Sequence, residues 1–132
     1  MRLWELEQPL WHGKHVVQQI GDYRIAVDQP GNAGYVTAWT PDNKVIGTLS
    51  TRGGHLRDQY LAIGLANLDK KHRGRGLGLA MYRALLNNLA PNWKGIASYL
   101  PDRSNRKQIP KIYRRLGGYI PKGWEDYMVI PR

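Results

Sequence analysis

The sequence predicts a mixed α/β domain of the α+β type, a mainly antiparallel sheet flanked by helices. Three observations predict it. Apolar residues alternate with polar ones in β-rich runs up to Ser50. Short clusters of Pro, Asp, Asn and Gly separate those runs, as turns between strands do. After Gly76 the apolar residues recur at three- and four-residue steps, the period of a helix.

The elements follow in order. Val16, Val17 and Ile20 would share one side of a short helix, but the β-branched pair and the Gly21-Asp22 gap favour a strand entering a tight turn. Tyr23 to Val27 reads as a strand, joined through Gln29-Pro30-Gly31-Asn32-Ala33-Gly34 to a hairpin. That hairpin consists of Tyr35 to Thr40 and Val45 to Ser50 around Pro41-Asp42-Asn43-Lys44. Leu61 to Leu68, LAIGLANL, is nearly all apolar, as in a strand covered on both faces. Strict alternation puts Gly64, Ala66 and Leu68 on one face, and Leu61, Ile63 and Leu65 on the other. The spacing of Leu77, Ala80, Met81, Ala84, Leu85 and Leu89 predicts a helix from Gly76 to Ala90, stopped by Pro91. Trp93 to Leu100 is a strand. Ile109 to Leu116 is a short helix with Pro110 in its first turn and Gly117-Gly118 as its stop. Tyr127 to Ile130 is a last strand, paired with the segment around Tyr119 and Ile120.

The chain has 132 residues, enough for one filled core and too few for two, so residues 1–132 are expected as a single domain. Twenty Lys and Arg against ten Asp and Glu give a formal charge of +10, a field that attracts phosphates, nucleic acids or acidic protein surfaces. The absence of cysteine excludes disulfides, thiolate zinc sites and thiol catalysis. His12 and His15 lie close together but lack carboxylates at ligand spacing, and no metal is expected. No apolar run approaches the length that crosses a bilayer, so a cytoplasmic protein without membrane attachment is expected.

The chemistry concentrates in LANLDKKHRGRGLGLAMYRALL, Leu65 to Leu86. A strand that runs through a glycine-rich turn into a helix places free N–H groups and the positive end of the helix dipole at one point, where phosphate binds well. Lys70, Lys71, His72, Arg73 and Arg75 surround that point, and Gly74, Gly76 and Gly78 let an anion approach the backbone. A solvated basic turn would account for the charges but not for three alternate glycines. The only Gly-Lys, Gly13-Lys14, is followed by His15, which excludes a Walker loop. Leu79 or Met81 stands where the dinucleotide fingerprint needs its third glycine.

Arg73-x-x-Gly76-x-Gly78 at a strand-to-helix junction resembles motif A of the GNAT superfamily of N-acetyltransferases, the turn that cradles the pyrophosphate of acetyl-CoA. Ile112-Tyr113-Arg114-Arg115-Leu116-Gly117 is similar to the family's motif B. The two regions cover Leu61 to Arg132. The resemblance implies a GNAT-like fold and acetyl transfer to an amine of an unidentified acceptor, protein or small molecule. It implies that Arg73, Gly74, Arg75, Gly76 and Gly78 bind the phosphates of acetyl-CoA. Leu68 would end a splayed strand, open beside Ala66 to Leu68, whose backbone pairs with the pantetheine arm and polarises the thioester carbonyl. Tyr113 would protonate the departing thiolate, since a phenol with an ordinary pKa near 10 keeps its proton at neutral pH.

The chain also departs from the family. Asn105 stands one residue too far from Tyr113 to match the usual asparagine. Gly118 replaces an aromatic residue, with Tyr119 next in line. The stretch before Tyr23 leaves little room for the one or two helices that shape the acceptor site, so the N-terminal half is abbreviated. No general base stands out among Asp69, His55, Asp58, Glu125 and Asp126. Glu125 and Asp126, between the last strands, are best placed to hold a cationic acceptor. A non-catalytic module binding nucleic acid or an acidic partner is the alternative, because Arg103, Arg106, Lys107, Lys111, Arg114 and Arg115 form a basic stretch near Tyr99 and Tyr113.

Overall fold

A computed structural model describes residues 10–11, 14–28, 35–56, 60–99, 111–123 and 127–132, with the backbone alone at 10–11, 14–15 and 52–56. The β-rich runs pair in chain order. Strands β1 (Leu10–Trp11), β2 (Lys14–Ile20), β3 (Tyr23–Asp28), β4 (Tyr35–Trp39), β5 (Val45–Leu56), β6 (Tyr60–Leu68), β7 (Gly95–Tyr99) and β8 (Tyr127–Pro131) form one sheet in that order. Every neighbouring pair is antiparallel except β6 and β7, which are parallel. Helix α1 (Leu77–Asn87) supplies the crossover that parallel neighbours need, and α2 (Lys111–Arg115) follows β7.

The segment Val16 to Ile20 is a strand, hairpinned to β3 through Gly21, whose φ is 56°, and Asp22. The hairpin of β4 and β5 turns at Asn43, with φ 66°. Its neck is closed by Thr40, whose N–H donates to Lys44 O at 2.9 Å and whose hydroxyl oxygen accepts from Lys44 N–H at 3.0 Å. Only residues 29–34 separate β3 from β4, far less chain than two helices need, so the early strands form a meander.

Helix α1 buries Leu77, Ala80, Met81, Tyr82, Ala84, Leu85 and Leu86. They pack on one face of the sheet with Ile25, Val27, Val36, Ala38, Leu49, Leu61, Ile96, Met128 and Ile130. The helix stops at Asn87 rather than running to Ala90. The Asn88 side-chain amide donates to Ala84 O at 2.8 Å, and the Arg132 guanidinium takes up the carbonyls of Leu89 at 3.2 Å and Ala90 at 2.7 Å. Leu89, beyond the helix, is still buried. Tyr119 forms an isolated antiparallel bridge with Val129, so β8 has β7 on one side and the segment at Tyr119 on the other.

Strict alternation fails in β6. Ser50 and Thr51 are adjacent on β5 yet face Leu65 and Ile63, leaving Gly64 as an extra residue on β6. This bulge reverses the parity of everything after it. Leu61, Ile63 and Leu68 pack into the core beneath α1; Ala66 shares that face through its pairing with Leu49 but is exposed, as is Leu65 on the opposite face. Gly47 is the floor under Leu68: a Cβ there would come 3.0 Å from both Leu68 Cδ1 and Met81 Sδ.

Gly95 opens β7 where a Cβ would fall on the carbonyl oxygen of Ile130 and lie 2.8 Å from Pro131 Cα, both backbone atoms that cannot rotate away. Gly95→Ala should lower the unfolding free energy by roughly 3 kcal/mol, read from denaturant melts.

Candidate functional site

Two features meet at the end of β6. The first is a free strand edge. β6 pairs with β7 only through Tyr60, Leu61 and Ala62, opposite Gly95, Ile96 and Ala97; beyond Ala62 no strand lies on that edge among the described residues. The sheet thus opens from Ile63, earlier than the stretch Ala66 to Leu68 named from the sequence. On the other side β6 stays with β5, and Asp69 N–H donates to Ile46 O at 2.8 Å. Backbone groups alternate along a strand, so the N–H groups of Leu68 and Ala66 point away from β5 into the opening. The Leu68 carbonyl points there too, and Arg73 Nε donates to it at 3.1 Å.

The second feature is the turn that leads into α1. A 3-10 turn at Lys70–His72 is capped by Asp69, whose carboxylate accepts from Lys71 N–H at 3.1 Å. That contact gives Asp69 a structural role as the cap of the turn. Gly74 and Gly76 then adopt φ of 82° and 80°, in the left-handed region that favours glycine, and nothing lies within 4 Å of where their Cβ would be. The first helical bond runs from Ala80 N–H to Gly76 O at 3.1 Å, so the N–H groups of Leu77, Gly78 and Leu79 precede any intrahelical acceptor. No side chain caps this end and no acidic residue lies in the first turn. Exposed Lys70, Lys71, Arg73 and Arg75 add positive charge. Bare backbone, N–H groups without intrahelical acceptors and uncompensated positive charge meet here, the chemistry of an anion cradle.

Gly78 does something else. A Cβ there would lie 3.1 Å from Ile112 Cδ1, so its bareness admits the side chain of α2 against the first turn of α1. Helix α2 ends by the pattern in which Gly118 N–H donates to Tyr113 O at 2.8 Å and Gly117 N–H to Arg114 O at 3.1 Å, with Gly117 at φ 81°. A Cβ on Gly118 would sit 2.9 Å from Tyr113 O. The glycine that replaces an aromatic residue here is therefore required by the close of the helix that carries Tyr113.

Tyr113 is half-buried against the main core. Its hydroxyl lies 2.7 Å from that of Tyr82, with the rings edge to face at 5.3 Å. Burial, reinforced by Tyr113, raises the Tyr82 phenol well above its ordinary pKa. The motif reading missed this partner. The available signal was a hydroxyl inside the apolar stripe of α1, since a buried phenol needs a hydrogen-bond partner. It also missed Tyr23, whose hydroxyl is 2.8 Å from His72 Nδ1 and whose ring lies 5.8 Å below the Arg75 guanidinium, tying β3 to the cradle.

The structure thus brings Leu68, Arg73, Gly74, Arg75, Gly76 and Gly78 together at one end of β6, with α2 packed alongside. Asn105, Asp58, His12, Glu125 and Asp126 lie outside the described residues, as do Arg103, Arg106 and Lys107 of the basic stretch; His15 and His55 are described by backbone only. Lys111, Arg114 and Arg115 are exposed on α2. Among the described residues no helix is long and apolar enough to cross a membrane.

The sequence profile of the acetyltransferase (GNAT) family matches residues 1–117. No curated protein matches the chain significantly. Among solved structures, diaminobutyrate acetyltransferase from Paenibacillus lautus, in complex with L-2,4-diaminobutyric acid and coenzyme A, superposes with a TM-score of 0.53 at 17% identity, over 76% of this chain and 70% of that one. A GNAT family N-acetyltransferase from Escherichia coli in complex with CoA gives 0.52 at 17% identity, over 74% of this chain and 57% of that one. An acetyltransferase-like structure from Deinococcus radiodurans gives 0.52 at 20% identity, over 77% and 85%. These likenesses establish the shared fold.

Gly76→Ala should cost about 1 kcal/mol of stability, because an L-residue enters the left-handed region there. The position is open, so Gly76→Asn should recover part of the loss. Paired denaturant melts check both.

Proposed function

Since the chain belongs to the GNAT acetyltransferase family, we propose that it transfers an acetyl group from acetyl-CoA to an amine. One observation carries this reading: the free edge of β6 at Ala66 and Leu68 runs directly into an anion cradle at Gly74 to Leu79. A ligand with an extended amide-bearing arm and a pyrophosphate at its end matches both. Acetyl-CoA is such a molecule and supplies, when bound, an acetyl group activated as a thioester.

The roles follow from the groups each residue presents. The N–H and C=O groups on the open edge of β6 pair with the arm as a neighbouring strand would, holding it against Ala66 and Leu68. The Leu68 N–H donates toward the thioester carbonyl, where negative charge develops during attack. The N–H groups of the turn and first helical turn, with the charges of Arg73 and Arg75, bind phosphate. Tyr113 is the acid that protonates the thiolate.

The acceptor is an amine of a protein or small molecule, and Glu125 and Asp126 are proposed to hold its cationic form. An amine near the lysine pKa of about 10.4 must lose a proton before attacking. The short stretch before Tyr23 supports an acceptor side with less helical cover than the family resemblance implies. Nucleic acid or an acidic protein remains a proposed further partner, suggested by the +10 charge.

Because valine at Gly76 would be strained by φ alone, charge removal tests the cradle more cleanly. Arg75→Gln should weaken acetyl-CoA about tenfold in calorimetry, the scale of one charge-assisted hydrogen bond, with the melting temperature in the absence of ligand lowered only slightly by loss of the contact with the Tyr23 ring. Unchanged affinity would remove the phosphate site from this turn. Tyr113→Phe keeps the ring and loses the proton. Its turnover, screened against amines and basic proteins or by acetyl-CoA hydrolysis, should fall about a hundredfold or more while acetyl-CoA still binds.

A further inference from the structure

We propose that Tyr82 is the positioning residue that turns Tyr113 into a proton donor: the Tyr82 hydroxyl donates to Tyr113 Oη, leaving the Tyr113 proton free for the thiolate. The inference rests on the acetyl-transfer reading and goes beyond it, because it assigns a direction to a hydrogen bond and a role to a residue outside both motifs.

The direction follows from how each hydroxyl can be satisfied. The two oxygens lie 2.7 Å apart and share one proton between them. Tyr82 is buried within the apolar face of α1, among the residues that fill the main core. Tyr113 Oη is the one hydrogen-bond partner of its hydroxyl among the described residues. If Tyr113 donated, the Tyr82 proton would have no acceptor among the described residues, and a buried unsatisfied donor is costly. Tyr113 is only half-buried, so its own proton can reach solvent or a ligand. The arrangement that satisfies both groups has Tyr82 donating.

The chemical consequence is specific. As the neutral acceptor nitrogen bonds to the acetyl carbon and the carbon–sulfur bond breaks, the electron pair stays on sulfur and the Tyr113 proton moves to it, giving a neutral thiol. Tyr113 is left as a phenolate, which accepts the hydrogen bond that Tyr82 already donates and regains its proton from water or from the ammonium formed on the acceptor. Burial raises the Tyr82 phenol far above neutrality, so Tyr82 keeps its own proton throughout. A hydrogen bond to a charged oxygen is stronger than one to a neutral oxygen, so the contact strengthens as the proton leaves, the condition for lowering a barrier. Helix geometry holds the pair in place: Ile112 seats against Gly78, and the glycine-capped end of α2 fixes the Tyr113 carbonyl.

Two measurements on the full chain test this. The first needs no substrate. In protein carrying ring-13C tyrosine, the proton between the two oxygens should appear as a slowly exchanging hydroxyl resonance correlated with the Tyr82 ring. It should lose its protection in Tyr113→Phe. Correlation with the Tyr113 ring instead would overturn the proposal. The second is kinetic. Tyr82→Phe, which keeps the packing of α1, should lower kcat about tenfold with the KM for acetyl-CoA unchanged, and should add no further loss in a Tyr113→Phe background. Wild-type turnover in Tyr82→Phe, with Tyr113→Phe impaired, would sink the proposal and leave the acetyl-transfer reading intact. A Tyr113→Phe variant as active as wild type would sink the acid role itself, whatever the resonance shows.

Discussion

The parting of β6 from β7 is the constraint on which the rest of the structure depends. Three parallel pairs, ending at Ala62 and Ala97, hold the two strands together; past that point β6 follows β5 while β7 follows β8. Exposed strand edges are ordinarily a hazard, because unpaired N–H and C=O groups invite another chain to pair with them. Here the edge runs into the turn that starts α1, so whatever pairs with it is met at its end by exposed positive charge and uncapped amides. The bulge at Gly64 makes this compatible with packing. It inserts one residue, returns Ala66 and Leu68 to the helix side, and lets the Leu68 side chain seat over Gly47 against Met81 while its backbone faces the opening.

Glycines set the spacing around that opening, each for its own reason. Gly74 and Gly76 supply left-handed φ at the cradle, where a Cβ would meet open space. Gly78, Gly47 and Gly118 supply closeness: Ile112 against α1, Leu68 and Met81 against β5, and the Tyr113 carbonyl against its own turn. A motif written as alternating glycines therefore combines two physical demands. The first pair sets the left-handed backbone of the turn; the third brings the tyrosine-bearing helix alongside. In this way one short run of sequence sets both the cradle and the placement of α2.

Side-chain hydrogen bonds link separate elements among the described residues. Tyr82 to Tyr113 joins the two helices, and Tyr23 to His72 joins the meander to the 3-10 turn. The Arg132 guanidinium joins the end of β8 to the carbonyls after α1. Each closes a long sequence separation with a directional bond, which fixes register where nonspecific apolar contact would not.

Much of this was legible in the residues. Periodicity determined the strands from Tyr23 to Ser50 and the helix after Gly76, because burial on one face imposes a repeat of two or of 3.6. The glycine turn ahead of that helix was legible because the left-handed φ that Gly74 and Gly76 adopt favours glycine. Three things were decided by tertiary structure alone. The face of β6 could not be read, since a bulge exists only relative to a partner strand, and alternation counted along LAIGLANL assigned Ala66 and Leu68 against Leu61 and Ile63. The end of α1 was set at Asn87 by the amide of Asn88 and by Arg132, a competition that a stop signal at Pro91 does not contain. The pairing of Tyr82 with Tyr113 lay beyond the sequence as well. Helical spacing says which side chains are buried, but only the packing of α2 on α1 says which hydroxyl each buried hydroxyl meets.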